Sequence, residues 1–495
     1  MPGAHRRSGD ASDQVPGRAP GPTGLGARLA VALAVLVLAA VAGVGTVLGA
    51  PALVERFAGP GTVATSPPPA PVAVEPALQP VGAQAPAPTP AGVAALLDPR
   101  VEGLGALSGR VVDPITGTVL WERDPAAALV PGSTAKLLTA AAALLALDHD
   151  TTFATRVVAG AEPGTVVLVG GGDPTLSALP AGEESPYPGA ARLDDLVEQV
   201  RAASTGPVDR VLVDVERYSG DVLAAGWLPA DVPGGFVAPI VPVMLDGARV
   251  DPRQNVTPRS GAPALDAAAE LARRLGADPA GSAVGTAAPG ARVLGVVDSP
   301  PVEELVTTVL ATSDNVLAET LAREVALATG AEPSFTGAAD AVLGVLARNG
   351  FGTASTTLVD GSGLSTADRV SATLLTGLLA TAAAPDGGPE VEPDVDPGNG
   401  PAGIAALRPL LVGLPVAGGT GTLADRYEGP AATAGRGWVR AKTGTLTAVN
   451  SLAGTVLDVD GRLMVFALLS NGPDPSAARP RLDGMAAALR SCGCR

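Results

Sequence analysis

The sequence predicts an α+β protein carried on an exported chain, and three observations lead there. A strand-like hairpin stands ahead of a helix that is apolar on every side, and two further helical runs meet in the middle of the chain. Three strand-like segments follow near the C-terminus, so strands and helices are segregated rather than alternating. Ahead of them all lies an uncharged apolar stretch, Leu29 to Val54, long enough to cross a bilayer as one helix.

Arg6, Arg7, Arg18 and Arg28 precede that stretch, and positive charge stays on the cytoplasmic side. Residues 1–28 are therefore expected as a cytoplasmic tail and 29–54 as an uncleaved anchor. A cleavable signal peptide is the other reading, and under either the bulk of the chain is exported. Residues 55–95 form a Pro/Ala-rich linker, with "GPGTVATSPPPAPVAVEPALQPVGAQAPAPTP" at its heart and no periodic apolar face. Such a polyproline-like spacer rises about 3.1 Å per residue and can lift a domain on the order of 100 Å from the membrane.

Composition removes several classes of function. The 495 residues are 46% apolar, enough for two or three domains with real cores. A net charge of −16 and the absence of any Lys/Arg cluster argue against nucleic-acid binding. Histidine occurs only at His5 and His149, and cysteine only at Cys492 and Cys494 in the terminal "SCGCR". Histidine triads and metal sites are thus poorly supported, and the two cysteines give neither a zinc spacing nor a disulfide framework.

The folded part is expected from about Ala95. Leu107 to Val112 and Thr118 to Arg123 read as the strands of a hairpin about a Pro-Ile-Thr-Gly turn. Then "PGSTAKLLTAAAALLAL", residues 131–147, reads as a helix whose first turn begins at Ser133 and whose remainder is buried. Three-residue spacing puts Ser133 and Lys136 on one face of its N-terminus, where unpaired N–H groups favour a developing negative charge. A serine hydroxyl needs a base to become a nucleophile, and a neutral lysine one turn away can be that base. Taken alone, S-x-x-K is better read as a capping serine followed by a solvated lysine, and it is the other motifs that change this.

Lysine itself is informative. Of 33 Lys and Arg residues only Lys136 and Lys442 are lysine. Arginine stays protonated in nearly any site, whereas a desolvated lysine can lose its proton. Two helical runs meet at Ser313-Asp314-Asn315, the only S-x-N in the chain, where hydroxyl and amide can both face a cleft. As a helix cap the same tripeptide would be ordinary. Lys442 lies in the first of three antiparallel strands read at Arg440 to Leu446, Leu452 to Val459 and Arg462 to Leu469, with a tight turn at Asp460-Gly461. With Thr443, Gly444 and Thr445 it offers a cation, hydroxyls and bare backbone, features suited to an extended peptide ending in a carboxylate.

The order S-x-x-K, S-x-N, K-T-G resembles the penicillin-recognising serine transferases and hydrolases. Within them, residues 96–490 are similar to the D-alanyl-D-alanine carboxypeptidase/endopeptidase family, the class C low-molecular-mass penicillin-binding proteins. The similarity takes in "LVGGGDPTLS" (168–177), "GW" (226–227), "LVDGSGLS" (358–365) and "AGGTGTL" (417–423), and the 180 residues between Ser133 and Ser313. The glycine-rich 170–175 segment lacks the Lys-Ser/Thr of a phosphate loop. The resemblance implies a β-lactamase/transpeptidase-like domain over 96–164 and 296–495. It would hold an antiparallel five-stranded sheet flanked by helices, and a helical subdomain carrying the S-x-N. A large inserted domain would occupy 165–295, with "RVLVDVERYSG" strand-like and "LDAAAELARRLG" helical inside it.

The resemblance also implies a chemistry. Ser133 would attack a D-alanyl-D-alanine carbonyl with Lys136 as base, and the Ser133 and Thr445 N–H groups would hold the oxyanion. Ser313 would relay a proton to the leaving amine and Asn315 would orient Lys136 and substrate. Lys442, Thr443 and Thr445, with Gly444 opening the backbone, would hold the substrate carboxylate. No metal or organic cofactor is implied. The partners implied are peptidoglycan stem peptides, β-lactams as inhibitors, and the membrane through the N-terminal helix, in the bacterial cell envelope outside the cytoplasm. A serine β-lactamase shares the triplets, although no E-x-x-L-N segment supplies its deacylating carboxylate. A cross-linking transpeptidase and a non-catalytic wall-binding module are the other readings.

Overall fold

The computed structural model describes residues 85–254, 256–385 and 402–495. The expected tail, the membrane helix over 29–54 and most of the spacer lie outside them. Among the described residues no helix is long and apolar enough to cross a membrane. Regular structure begins earlier than the expected linker boundary. Helix α1 spans Pro90–Leu97, started by a Thr89 cap that accepts from Gly92 N at 3.1 Å and by a proline at its first position. Thr89 N also donates to Cys494 O at 2.7 Å, so the C-terminus holds this start. Cys492 and Cys494 are bonded to each other, a pairing the sequence reading did not foresee.

Strands β1 (Ala106–Val112) and β2 (Val119–Arg123) form the expected hairpin. A 3₁₀ turn at Gly132–Ala135 then leads into α2, Lys136–Ala146. Ser133 therefore sits in the 3₁₀ turn and not in the α-helix. The chain next builds a second sheet from β3 (Ala154–Ala159), β4 (Thr165–Val169), β5 (Arg210–Asp214), β6 (Ala283–Val284) and β7 (Val293–Asp298). Its order is β6-β5-β4-β3-β7, parallel from β4 to β6 and antiparallel at β3. Helices α3 (Leu193–Ala203) and α4 (Pro263–Leu275) pack on it through Leu196, Val200, Ala268 and Leu271, residues at helical spacing. The second sheet thus runs from Ala154 to Asp298, taking in β3, which the expected 165–295 boundary left outside.

Helices α5 (Val302–Thr312), α6 (Asn315–Ala328), α7 (Phe335–Arg348), α8 (Ala372–Ala383), α9 (Ala402–Leu407) and α10 (Pro409–Val412) follow. Strands β8 (Val439–Leu446), β9 (Val449–Leu457) and β10 (Leu463–Asn471) and helix α11 (Pro475–Arg490) complete the chain. The first sheet has the order β2-β1-β10-β9-β8 and is antiparallel throughout, so N- and C-terminal segments share it. Both faces are covered. Val465, Ala467 and Leu469 of β10 join the core under α2, α6 and α8, while Met464, Phe466 and Leu468 join the core under α1 and α11. That period of two explains why β10 reads as an unbroken apolar run.

Two turns differ from expectation. Strand β9 starts three residues before Leu452, because Leu446 pairs with Val449 and only Thr447-Ala448 link β8 to β9. The expected tight turn at Asp460-Gly461 is a five-residue loop: Leu457 pairs with Leu463, and Asp458 Oδ1 accepts from Asp460 N at 2.9 Å and Arg462 N at 2.7 Å. A side chain captures the N–H groups that a two-residue turn would have left to the ladder.

Candidate active site

Ser133 is half-buried at the mouth of its turn, while Lys136, one residue beyond it, has no exposed surface. Lys136 Nζ contacts three oxygens: Ser133 Oγ at 3.1 Å, Asn315 Oδ1 at 2.5 Å and Ser362 O at 2.7 Å. An ammonium donates to all three. A neutral amine has two N–H donors for Asn315 and Ser362, which leaves its lone pair for the serine hydroxyl. Burial lowers the Lys136 pKa to about 8, against the raising effect of Asp360, Glu319, Asp314 and Asp368. The neutral base is therefore accessible near neutral pH.

Ser313 closes α5 and Asn315 opens α6, with Asp314 as the N-cap between them, its Oδ1 accepting from Leu317 N at 3.0 Å. Ser313 is in the left-handed region, φ 61°, which turns its hydroxyl away from the helix line. Asn315 gives its amide N–H to Phe236 O at 2.9 Å, so the inserted region fixes which end of the amide faces Lys136. Lys442 also lacks exposed surface; its Nζ donates to Ser313 Oγ at 2.8 Å and to Thr443 O at 3.0 Å. Burial and the nearby Lys136 hold its pKa well below the ordinary lysine value. The sequence reading had Lys442 meeting a substrate carboxylate directly; the structure sets it behind Ser313, with Thr445 exposed at the strand end.

Gly444 explains how β8 reaches Ser133. A Cβ there would lie 2.4 Å from Pro131 O and 3.0 Å from Ser133 N, and one on Gly132 would lie 3.2 Å from Thr445 N. Only bare backbone allows this approach, which brings the Ser133 and Thr445 main chains to one seam. Thr443 Oγ1 donates to Thr422 Oγ1 at 3.0 Å, tying the K-T-G strand to the 417–423 segment.

The structure thus brings Ser133, Lys136, Ser313, Asn315, Lys442 and the 443–445 strand together, and adds groups that the residue reading missed. Ser362 enters through its carbonyl. Its loop is shaped by Asp360, fully buried, which accepts from Ser362 N at 3.1 Å, Gly363 N at 2.6 Å, Ser365 N at 2.7 Å and Trp227 Nε1 at 2.8 Å. Glu319, one turn after Asn315 on α6, accepts from Gly361 N at 2.9 Å. Burial and the Asp360 carboxylate push the Glu319 and Asp368 carboxyls above the ordinary carboxylate range. The 226–227 and 358–365 segments carried the sequence signal for these contacts. Among the described residues no group of His, Cys, Asp or Glu is arranged to hold a metal.

A buried lysine amine thus lies within hydrogen-bond reach of a half-buried serine hydroxyl, and comparison with known proteins gives the chain a family. The model of the D-Ala-D-Ala carboxypeptidase 3 (S13) family matches residues 93–261 and 253–492. The chain belongs to that family. A carboxypeptidase of Mycobacterium tuberculosis is 46% identical to this S13 member over 442 residues, covering 88% of this chain and 91% of the relative. A D-alanyl-D-alanine carboxypeptidase of an Actinomadura species is 31% identical over 484 residues, covering 80% and 83%. Penicillin binding protein 4 of Haemophilus influenzae shares the fold, with TM-score 0.63 at 19% identity over 80% of this chain and 98% of that one. The α+β fold is therefore shared with penicillin binding protein 4, and the S13 member is a serine D-alanyl-D-alanine peptidase.

Proposed function

We propose that this peptidase cleaves the bond between two D-alanines, or a D-alanyl cross-link, of peptidoglycan stem peptides through an acyl-enzyme on Ser133. The observation that carries the reading is the Lys136 amine, buried and 3.1 Å from Ser133 Oγ with its remaining bonds taken by Asn315 and Ser362. Ser133 Oγ passes its proton to Lys136 Nζ as it bonds to the substrate carbonyl carbon. The Ser133 and Thr445 N–H groups hold the oxyanion; losing one such donor typically costs about 3 kcal/mol. The proton then moves through Ser313 to the amine nitrogen as the C–N bond breaks. Water, deprotonated by Lys136, hydrolyses the ester and restores Ser133.

The other roles follow from position. Lys442 holds Ser313 and keeps positive potential at the site, while Thr443 and Thr445 meet the substrate carboxylate at the strand edge. Asn315 holds Lys136 on one side and offers its amide to the cleft. β-Lactams would acylate the same serine; the Haemophilus influenzae protein also has a structure in complex with a β-lactam. The catalytic domain is assigned to the chain on either side of the second sheet, 96–153 and 299–495, which shortens the expected 96–164 and 296–495 by the strand ends that join the inserted sheet. The apolar 29–54 stretch is read as an anchor in the envelope, with the spacer carrying the domain outward.

The test is the intact mass of the full-length protein, in detergent, after incubation with benzylpenicillin, beside Ser133→Ala. One adduct per wild-type chain and none on the variant is expected, with D-alanine released from a pentapeptide by the wild type alone. Adduct formation by Ser133→Ala would overturn the assignment of the nucleophile. Rapid antibiotic hydrolysis without an adduct would favour the β-lactamase reading, and no reaction with either compound the wall-binding one.

A further inference from the structure

The catalytic steps above leave one buried cluster unused. Asp314 stands between Ser313 and Asn315, and its side chain is 1% exposed. Its Oδ2 accepts from three groups of the inserted region: Tyr187 OH at 2.9 Å, Arg249 Nη2 at 2.9 Å and Arg259 Nη2 at 3.3 Å. Arg249 Nη1 donates in addition to Tyr187 OH at 2.9 Å, so the donors brace one another. Two arginines on one carboxylate exceed what capping a helix requires, since Asp314 Oδ1 already does that through Leu317 N.

The arginines are themselves held from behind. Arg249 Nη1 donates to Asp246 O at 3.0 Å and Arg259 Nη1 to Gly247 O, in a turn, Asp246-Gly247-Ala248, whose three residues all have positive φ: 50°, 63° and 62°. Asp246 N donates to Leu176 O at 2.9 Å, Gly247 N to Pro174 O at 2.8 Å, and Ala178 N to Asp246 Oδ2 at 2.9 Å. The "GGGDPTLS" segment, which no catalytic step uses, is thus the backing of this turn. A strained turn persists only where its surroundings over-determine it. Ser313, φ 61°, is another residue with positive φ, and Asp314 is its nearest fixed neighbour. Further along α6 the same region bonds again, Arg217 Nε to Glu324 Oε1 at 2.8 Å and Arg323 Nη1 to Ser219 O at 2.9 Å.

We infer that Arg249 and Arg259 are positioning residues: through Asp314 they hold Ser313 and Asn315 in register with the two lysines, and bracing this turn is one of the contributions the inserted region makes to the reaction. The inference rests on the acyl-enzyme reading. Neither arginine touches Ser133, Lys136 or Lys442, so the effect is on the geometry of the proton path and not on binding.

The test is a time course of benzylpenicillin acylation and of D-alanine release by the full-length protein carrying Arg249→Met, Arg249→Lys or Tyr187→Phe. For Arg249→Met the acylation rate constant is expected to fall roughly 100-fold, the scale of an ångström's misplacement, while the final adduct still reaches one per chain. Arg249→Lys restores charge without the paired donors and should recover about tenfold of that loss. Tyr187→Phe, the mildest change, should slow acylation about fivefold, and in all three kcat should move while KM stays within about threefold. A fraction of dead chains with the remainder reacting at the wild-type rate would mean a folding role only and overturn the inference. So would rate constants within about twofold of wild type for all three variants. An unsubstituted chain that takes no adduct would instead remove the acyl-enzyme reading on which this rests.

Discussion

Lys442 Nζ lies 2.8 Å from Ser313 Oγ with no solvent access, so the second lysine and the S-x-N serine form one unit. The Nζ has no exposed surface and, among the described residues, bonds only Ser313 Oγ and Thr443 O, so the lysine serves there as a compact point donor. Lys442→Ala removes the donor and should lower kcat by about 100-fold or more, in the range for losing one transition-state donor. Lys442→Arg keeps the charge but overfills this buried position and should be nearly as damaging. Steady-state kinetics on a D-alanyl-D-alanine peptide checks both, and an Arg variant at wild-type kcat would mean that charge alone matters.

Acylation should depend on pH through Lys136. The reactive form is the neutral amine, and its pKa is lowered to about 8 by burial. The groups facing it are Asp314, Glu319, Asp360, Asp368 and, of like charge, Lys442. As pH falls below 8 the amine protonates, so the acylation rate constant should drop about tenfold per unit and level off above that pH. Stopped-flow acylation between pH 6 and 9 measures this, and a flat profile would exclude Lys136 as the base.

The hairpin ahead of Ser133, the buried helix after it and the strand carrying Lys442 were legible because each rests on local spacing. The all-round apolar run after Lys136 required burial, and "SGRVV" and "VLWER" alternate as paired strands. What escaped reading was contact across distance. Asp314 is 65 residues from Arg249 and 55 from Arg259, and no spacing rule joins them. The Phe236 and Ser362 carbonyls are backbone atoms, which residue identity does not advertise. Lys442 stood out in the sequence as one of two lysines but its burial did not, since a lysine on a strand carries no sign of which face it occupies until the partner helices are known.

Gly444 admits no side chain without moving the turn that carries Ser133. A methyl group would meet Pro131 O at 2.4 Å and Ser451 Oγ at 2.2 Å, and Pro131 O also accepts from Thr134 Oγ1 at 2.8 Å. Gly444→Ala should therefore cost about 2 kcal/mol of stability by overpacking. It should also slow acylation by more than that loss explains, because Ser133 N shifts with Pro131. Denaturant unfolding and penicillin acylation, measured on the same preparation, separate the two. Unchanged acylation in a destabilised variant would show that the seam is packing alone.

Asp360 joins stability to catalysis. Its Oδ1 takes the Ser362 and Gly363 N–H groups and its Oδ2 takes Ser365 N and Trp227 Nε1, so every lone pair on the inner side has a donor. An asparagine can satisfy one oxygen's pair and must turn its own N–H₂ against the other. Asp360→Asn should destabilise by about 3 kcal/mol, the cost of unpaired buried donors. The second effect runs through charge: the Asp360 carboxylate raises the pKa of Lys136, so its removal lowers that pKa further. The pH at which acylation levels off should then move below that of the wild type, even as the plateau rate falls because Ser362 O is no longer held at Lys136 Nζ. Thermal melting and the pH profile of acylation test the two halves separately, and a plateau pH that stays put or rises would show that Asp360 acts on the loop and not on the lysine.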